Sequence, residues 1–194
     1  MPDSEIFRSP APPVATLGVI ADTHIPDRIR KLPSRVLEIF QTAGVTGILH
    51  AGDICIPTVL EDLSQVAPVT AVRGNRDWLF RTVLPPKTTL VLFGVTLGLT
   101  HGHGGWANYF RDKMRYVALG YRFDHYYQIL RRDFPDSQVI VYGHTHRAEN
   151  RRINGQLIFN PGSACCPIGI RHPPSIGLLH FYPGQQVIGQ IIKI

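Results

Sequence analysis

The apolar and polar positions along the chain repeat one unit: a short, mostly β-branched apolar run that ends in Gly, His, Asp or Asn. TLGVIADTH (Thr16 to His24), GILHAGD (Gly47 to Asp53), VTAVRGNRD (Val69 to Asp77), VTLGLTHGH (Val95 to His103) and VIVYGHTH (Val139 to His146) share this form. LIFNPGS, Leu157 to Ser163, is a sixth with fewer ligand-type side chains. Such runs predict buried strands. Between the early members, PSRVLEIFQTA puts Val36, Leu37 and Phe40 on one helical stripe, and PTVLEDLSQV does so with Val59, Leu60 and Leu63. Strand and helix in alternation predict a largely parallel sheet with helices outside. Later segments read as antiparallel: Asn154-Gly155 in RRINGQLIF signals a type I′ hairpin, and SIGLLHFY and QVIGQIIKI add short strands. The expected fold is α/β, a sheet-on-sheet sandwich flanked by helices.

In parallel sheets ligands collect beyond the carboxyl ends of the strands, so the polar endings are expected on one edge. The ligand-competent side chains there are Asp22, His24, Asp53, Asn75, His101, His144 and His146. In an extended segment His144 and His146, two residues apart, would point to the same side. Seven such groups exceed the needs of one cation, and a carboxylate can bridge two, so a di-metal centre with cations about 3.5 Å apart is expected. Imidazole and oxygen ligands without Cys favour Mn, Fe, Zn, Co or Ni over Ca or Cu(I). Two divalent cations outweigh two aspartates and a hydroxide, so the substrate should be anionic. Paired metals suit phosphate-ester hydrolysis with hydroxide as the nucleophile.

Composition narrows the class further. With 194 residues, 44% hydrophobic and 18% charged, the chain is expected to form one globular domain over residues 14–194. MPDSEIFRSPAPP, residues 1–13, reads as a loose tail without the basic start and apolar stretch of a secretory signal. No apolar run approaches the ~20 residues that span a bilayer, so a cytoplasmic protein without a membrane partner is expected. Cys55, Cys165 and Cys166 suit no disulfide framework and read as small buried residues in a reducing compartment. The net charge of +6 comes mostly from Arg, which suits phosphate, but the basic residues are scattered and nucleic acid is not an expected partner.

The ordered motifs D-x-H (Asp22, His24), G-D (Gly52, Asp53), G-N-x-D (Gly74 to Asp77), H-G-H (His101 to His103) and G-H-T-H (Gly143 to His146) resemble the calcineurin-like metallophosphoesterases. Order and spacing are most similar to the small single-domain phosphodiesterase (YfcE-like) branch, which also has the N-P-G-S found at Asn160 to Ser163. The resemblance runs from about Thr16 to the C-terminus. It implies a four-layer αββα sandwich and a division of ligands. One metal would take Asp22, His24, Asp53 and His146, and the other Asp53, Asn75, His101 and His144, with Asp53 as the bridge. It also implies a metal-dependent phosphodiesterase acting on a small or nucleotide-like diester, manganese being the first choice of metal. The alternative is a protein-interaction scaffold, because the same branch resembles the retromer scaffold subunit. Every expected ligand position is filled, which favours the enzyme.

One departure bears on the chemistry. Phosphomonoesterases of the superfamily follow G-N with His-Glu, and that His is the candidate acid for the leaving group; Arg76 and Asp77 stand here instead. Arg76 is a poor acid but can clamp a phosphate oxygen. His103 is the spare imidazole for leaving-group protonation. His50 reads as a brace for Asp53 or a backbone carbonyl, Asn160 and Ser163 as a turn supporting the metal loops, and His125, His172 and His180 as structural. A helical, aromatic-rich insertion is expected at about 104–135, with Trp106, Phe110, Met114 and Val117 on one stripe and Phe123, Tyr126, Tyr127 and Leu130 on another. It would pack on the body or on a second subunit of a homo-oligomer, or else cap the cleft.

Overall fold

Alternation along the first strand shows how the molecule is layered. In β1 (Ala15–Ile20), Leu17 and Val19 point into one apolar cluster while Ile20 points into another. Gly18 lies on the second face against the Phe40 ring, where an added Cβ would stand 2.9 Å from a ring carbon. The computed structural model describes residues 12–77, 83–104, 114, 120–166 and 172–194.

Two five-stranded mixed sheets face each other. The first has β1 at its centre, paired in parallel with β2 (Gly47–His50), which pairs in parallel with β3 (Val69–Ala71). On the other side of β1 run antiparallel β9 (Ser175–Tyr182) and β10 (Gln186–Lys193). The second sheet has the order β4 (Lys87–Leu92), β5 (Val95–Thr100), β6 (Val139–Val141), β8 (Gln156–Asn160), β7 (Glu149–Ile153). Within it β5, β6 and β8 are parallel.

Between the sheets Val19, Leu49, Leu97, Val141, Phe159 and Leu179 form a fully apolar layer. Helices α1 (Ser34–Thr42) and α2 (Thr58–Ser64) bury Val36, Phe40, Val59 and Leu63 on the outer face of the first sheet. Helix α3 (Phe123–Asp133) buries Tyr127 and Leu130 on the outer face of the second. The layers are therefore helix, sheet, sheet, helix, as expected. Each fully buried Val, Leu or Ile contributes roughly 1.5–3 kcal/mol.

The hairpin at Asn154-Gly155 joins β7 and β8, and both residues take the positive φ (50° and 84°) that a type I′ turn requires. Strand β4 was not foreseen. KTTLVL alternates exposed and half-buried positions on a sheet edge, so it carries neither a long apolar run nor a polar ending. The second stripe expected in the insertion becomes α3, whereas Trp106, Phe110 and Val117 lie outside the described residues. Among the described residues no helix is long and apolar enough to cross a membrane.

Candidate metal centre

The strands stop short of the chemistry. β1 ends at Ile20, β2 at His50 and β6 at Val141, and the polar side chains sit on the turns that follow. Asp22, His24, Asp53, His144 and His146 have φ of 53°, 46°, 56°, 68° and 54°. A left-handed conformation at a non-glycine residue costs on the order of 1 kcal/mol or more, and here it recurs at five candidate ligands. This corrects the expectation from an extended segment: His144 and His146 are delivered by a coiled turn, and they diverge toward different partners. The turns are tied together by backbone bonds, from the Asp22 N–H to the Gly52 carbonyl (2.9 Å) and from the His24 N–H to the Asp53 carbonyl (3.0 Å). Two motif glycines are required by space. A Cβ on Gly74 would lie 2.1 Å from Asp53 Oδ1, and one on Gly143 2.9 Å from the Ala51 carbonyl and from Asp22 Oδ2.

All seven candidate ligands converge. His146 Nε2 is 3.3 Å from Asp22 Oδ1, and His24 Nε2 is 3.0 Å from His146 Nε2. His24 Nε2 also lies 3.8 Å from Asp53 Oδ2, while the other Asp53 oxygen lies 3.5 Å from His101 Nε2. Asp53 thus turns each oxygen to a different histidine, as a bridging carboxylate would. Asn75 Oδ1 is 3.1 Å from both His101 Nε2 and His144 Nδ1. Asp22, His24 and His146 form one compact group and Asp22, Asp53 and His101 a second, so Asp22 too is shared. Buried carboxylate oxygens, imidazole nitrogens and an amide oxygen make a donor set suited to divalent transition metals.

In the protein without cations, protons take their place. Burial opposes charge on His101, but the carboxylates of Asp53 and Asp22 overcome it and raise its pKa to about 10. The same competition lowers Asp53 against the pull of burial, mainly through His101, and lowers Asp22 mainly through His146. Burial pushes His24 down, whereas Asp22 outweighs burial at His146 and pushes it up. His101 Nδ1 faces the Ala51 carbonyl at 2.7 Å, which fixes a hydrogen on that nitrogen and leaves Nε2 as the nitrogen free to take a cation once the ring is neutral.

A brace of buried groups holds the turns. Asp77 accepts from the backbone N–H groups of Asp53 (2.9 Å), Ile54 (2.7 Å), Cys55 (2.7 Å) and Gly74 (2.6 Å). It was legible in the sequence only as the last letter of G-N-R-D. The one available signal was the habit of Asp to gather backbone N–H groups in turns. His50, its pKa pushed down by burial to about 3, accepts from the Gly52 N–H and meets the Thr23 hydroxyl, which reaches the Asp53 carbonyl. It braces that carbonyl, as expected, through an intermediary. Asn160 bonds the Gly143 carbonyl (2.8 Å) and Ser163 the Asp22 carbonyl (2.8 Å).

A cavity of about 290 Å³ opens over the centre, lined by His24, Arg28, Asp53, Asn75, Arg76, His144, His146 and Cys166. The Arg76 side chain is oriented by Asp27 (3.0 Å) and its backbone N–H by Asp53 Oδ1 (2.8 Å). Arg28 was missed in the sequence, since nothing in DTHIPDR marks one arginine among many. The His103 ring centroid lies 5.5 Å from that of His101 and 6.2 Å from that of His144. His103 does not line the cavity, and burial lowers its pKa to about 4, aided by His101. The cysteines differ from expectation: Cys165 and Cys166 are disulfide-bonded to each other, and none of the three is fully buried. A link between sequence neighbours closes no loop and is not the framework that spacing excluded.

Residues 16–182 match the family described as the calcineurin-like phosphoesterase superfamily domain. A probable metallophosphoesterase of Methanothermobacter thermautotrophicus is 31% identical over 177 residues, 91% of each chain. A phosphodiesterase of Methanocaldococcus jannaschii is 25% identical over 177 residues, covering 84% of this chain and 91% of its own. In fold, the chain is similar to Vps29 of Entamoeba histolytica, solved in complex with Zn²⁺: the TM-score is 0.67 at 22% identity, over 91% of this chain and 98% of that one. This chain belongs to the calcineurin-like phosphoesterase superfamily.

Proposed function

We propose, with that membership as the premise, that the protein is a metal-dependent phosphodiesterase that hydrolyses a small or nucleotide-like phosphodiester. The observation that carries this reading is the placement of Asp53, whose two oxygens face His24 and His101 in the floor of an open cavity. In this reading Asp22, His24, Asp53 and His146 hold one divalent cation, and Asp53, Asn75, His101 and His144 the other. Manganese is proposed first, with Fe, Zn, Co or Ni as substitutes, and the setting is cytoplasmic. Such a pair, when bound, supplies an activated water and charge neutralisation for the phosphoryl group.

The chain's own residues do the rest. Arg76, held at the cavity wall by Asp27, clamps a non-bridging phosphate oxygen. Asp77 and His50 keep the Asp53 turn in its strained conformation. His103, the spare imidazole beside the candidate ligands His101 and His144, is the candidate for protonating the leaving group. A monoester with a poor leaving group needs a positioned proton donor, and Arg76 stands where related phosphatases carry one. Diesters, above all aryl diesters whose phenolate leaves with little help, should therefore be preferred.

The test is a metal-by-substrate matrix on chelator-stripped protein, with bis(4-nitrophenyl) phosphate against matched alkyl diesters and monoesters. Highest kcat/KM on the aryl diester with Mn²⁺ is expected. The highest value on an alkyl monoester would overturn the argument from Arg76. Metal binding without turnover on any ester would favour the second reading, a protein-interaction scaffold, for which the likeness in fold to Vps29 speaks.

A further inference from the structure

Among the described residues, the carboxylates at and beneath the cavity are all engaged. Asp22 and Asp53 belong to the candidate metal centre, Asp27 is ion-paired with Arg76 at 3.0 Å, and Asp77 is occupied by four backbone N–H groups. Arg28 is different. It lines the same cavity, is exposed, and forms no ion pair with an acidic group among the described residues. Its backbone is not loose, because the Arg28 N–H bonds the carbonyl of His24, a candidate ligand, at 2.9 Å. A cation whose backbone is anchored beside the candidate metal centre, in a wall whose other arginine is already neutralised, favours a second negative group on whatever fills the cavity.

We propose that Arg28 binds a second phosphate of the substrate, beside the scissile diester, so that the preferred substrates are phosphodiesters that also carry a terminal phosphate. The inference rests on the phosphodiesterase reading and narrows its substrate class. The planar fork of Arg matches two phosphate oxygens at once, which a diester already held by the metal centre and Arg76 does not supply at this wall.

The probes are thymidylyl-(3′→5′)-thymidine with and without a 5′-terminal phosphate, which share one scissile bond and differ by one anionic group. Wild-type protein should favour the terminally phosphorylated form by about tenfold in kcat/KM, mostly through KM, as one charge-assisted contact allows. Arg28→Gln should bring that ratio close to one, and Arg28→Lys should keep part of it. Equal kcat/KM on the two dinucleotides in wild type, or an unchanged ratio in Arg28→Gln, would overturn the assignment. A second arm measures affinity without turnover: calorimetric dissociation constants of thymidine 3′,5′-bisphosphate and thymidine 5′-monophosphate on manganese-loaded protein. Tighter binding of the bisphosphate that disappears in Arg28→Gln supports the site, and no difference overturns it. Should neither dinucleotide be cleaved with any metal, the phosphodiesterase reading falls while this second arm still decides the role of Arg28.

Discussion

The two sheets contribute opposite chemistry to one site. The first, through the turns after β1, β2 and β3, supplies Asp22, Asp53 and Asn75, all candidate oxygen ligands, together with His24. The second, through the turns after β5 and β6, supplies His101, His144 and His146, all candidate nitrogen ligands. The first edge alone would be two buried carboxylates repelling each other, and the second alone three desolvated imidazoles. Each side is tolerable only opposite the other, so the centre exists at the seam of the sandwich and depends on the apolar layer that holds the sheets together.

The most severe way to break this complementarity is to remove Asp53, the carboxylate whose oxygens face both His24 and His101. Asp53→Ala should lose both cations and lower activity by at least about a thousandfold, read by metal stoichiometry and turnover. On the imidazole side, His103→Ala should keep the metal and lose activity by about ten- to a hundredfold. Equal metal loss in the two variants would show that the roles are misassigned.

The brace beneath the first sheet's turns can be broken without touching a ligand. Asp77→Asn replaces an acceptor of four backbone N–H groups with a side chain that is half donor. Thermal or denaturant unfolding of the metal-free protein should show a loss of about 2–4 kcal/mol. A change of a few tenths would mean that water replaces the carboxylate.

Protons standing in for cations give a subtler measure. His101 must be neutral at Nε2 to bind metal, and in the metal-free protein its pKa is about 10. Loading at pH 8 should therefore release a proton from it, and the release should fade as pH rises past 10, where the ring is already neutral. Metal affinity should rise with pH up to that point. Calorimetry in two buffers of different ionisation enthalpy gives the count, and loading with no proton release at pH 8 would contradict the assignment.

The smallest effect reports the field on the carboxylate side. Cys55 follows Asp53 by two residues, and burial, with Asp77 and Asp53, pushes its thiol up to about 12. Alkylation of Cys55 in metal-free protein at pH 8 should be very slow, and metal loading should speed it by neutralising Asp53. The same rate with and without metal would show that burial alone sets its reactivity.

Much of this was legible in one dimension. The candidate ligands follow the last Val, Leu or Ile of an apolar run within two to five positions, so hydrophobic periodicity located the strand ends, and side-chain chemistry at those ends pointed to metals. The hairpin at Asn154-Gly155 was equally local, since both residues accept positive φ. What local pattern could not convey was pairing. His24 meets His146 across 122 positions, and His144 meets Asn75 across 69. Such encounters depend on how two sheets register against a shared core, and on left-handed turns whose cost is offset only by bonds from other segments. The nest of N–H groups around Asp77, the edge strand β4 and the place of Arg28 in the cavity wall belong to the same class. Each is defined by neighbours that the chain brings close only when folded, so the sequence determined the kinds of ligand and the tertiary structure decided which of them meet.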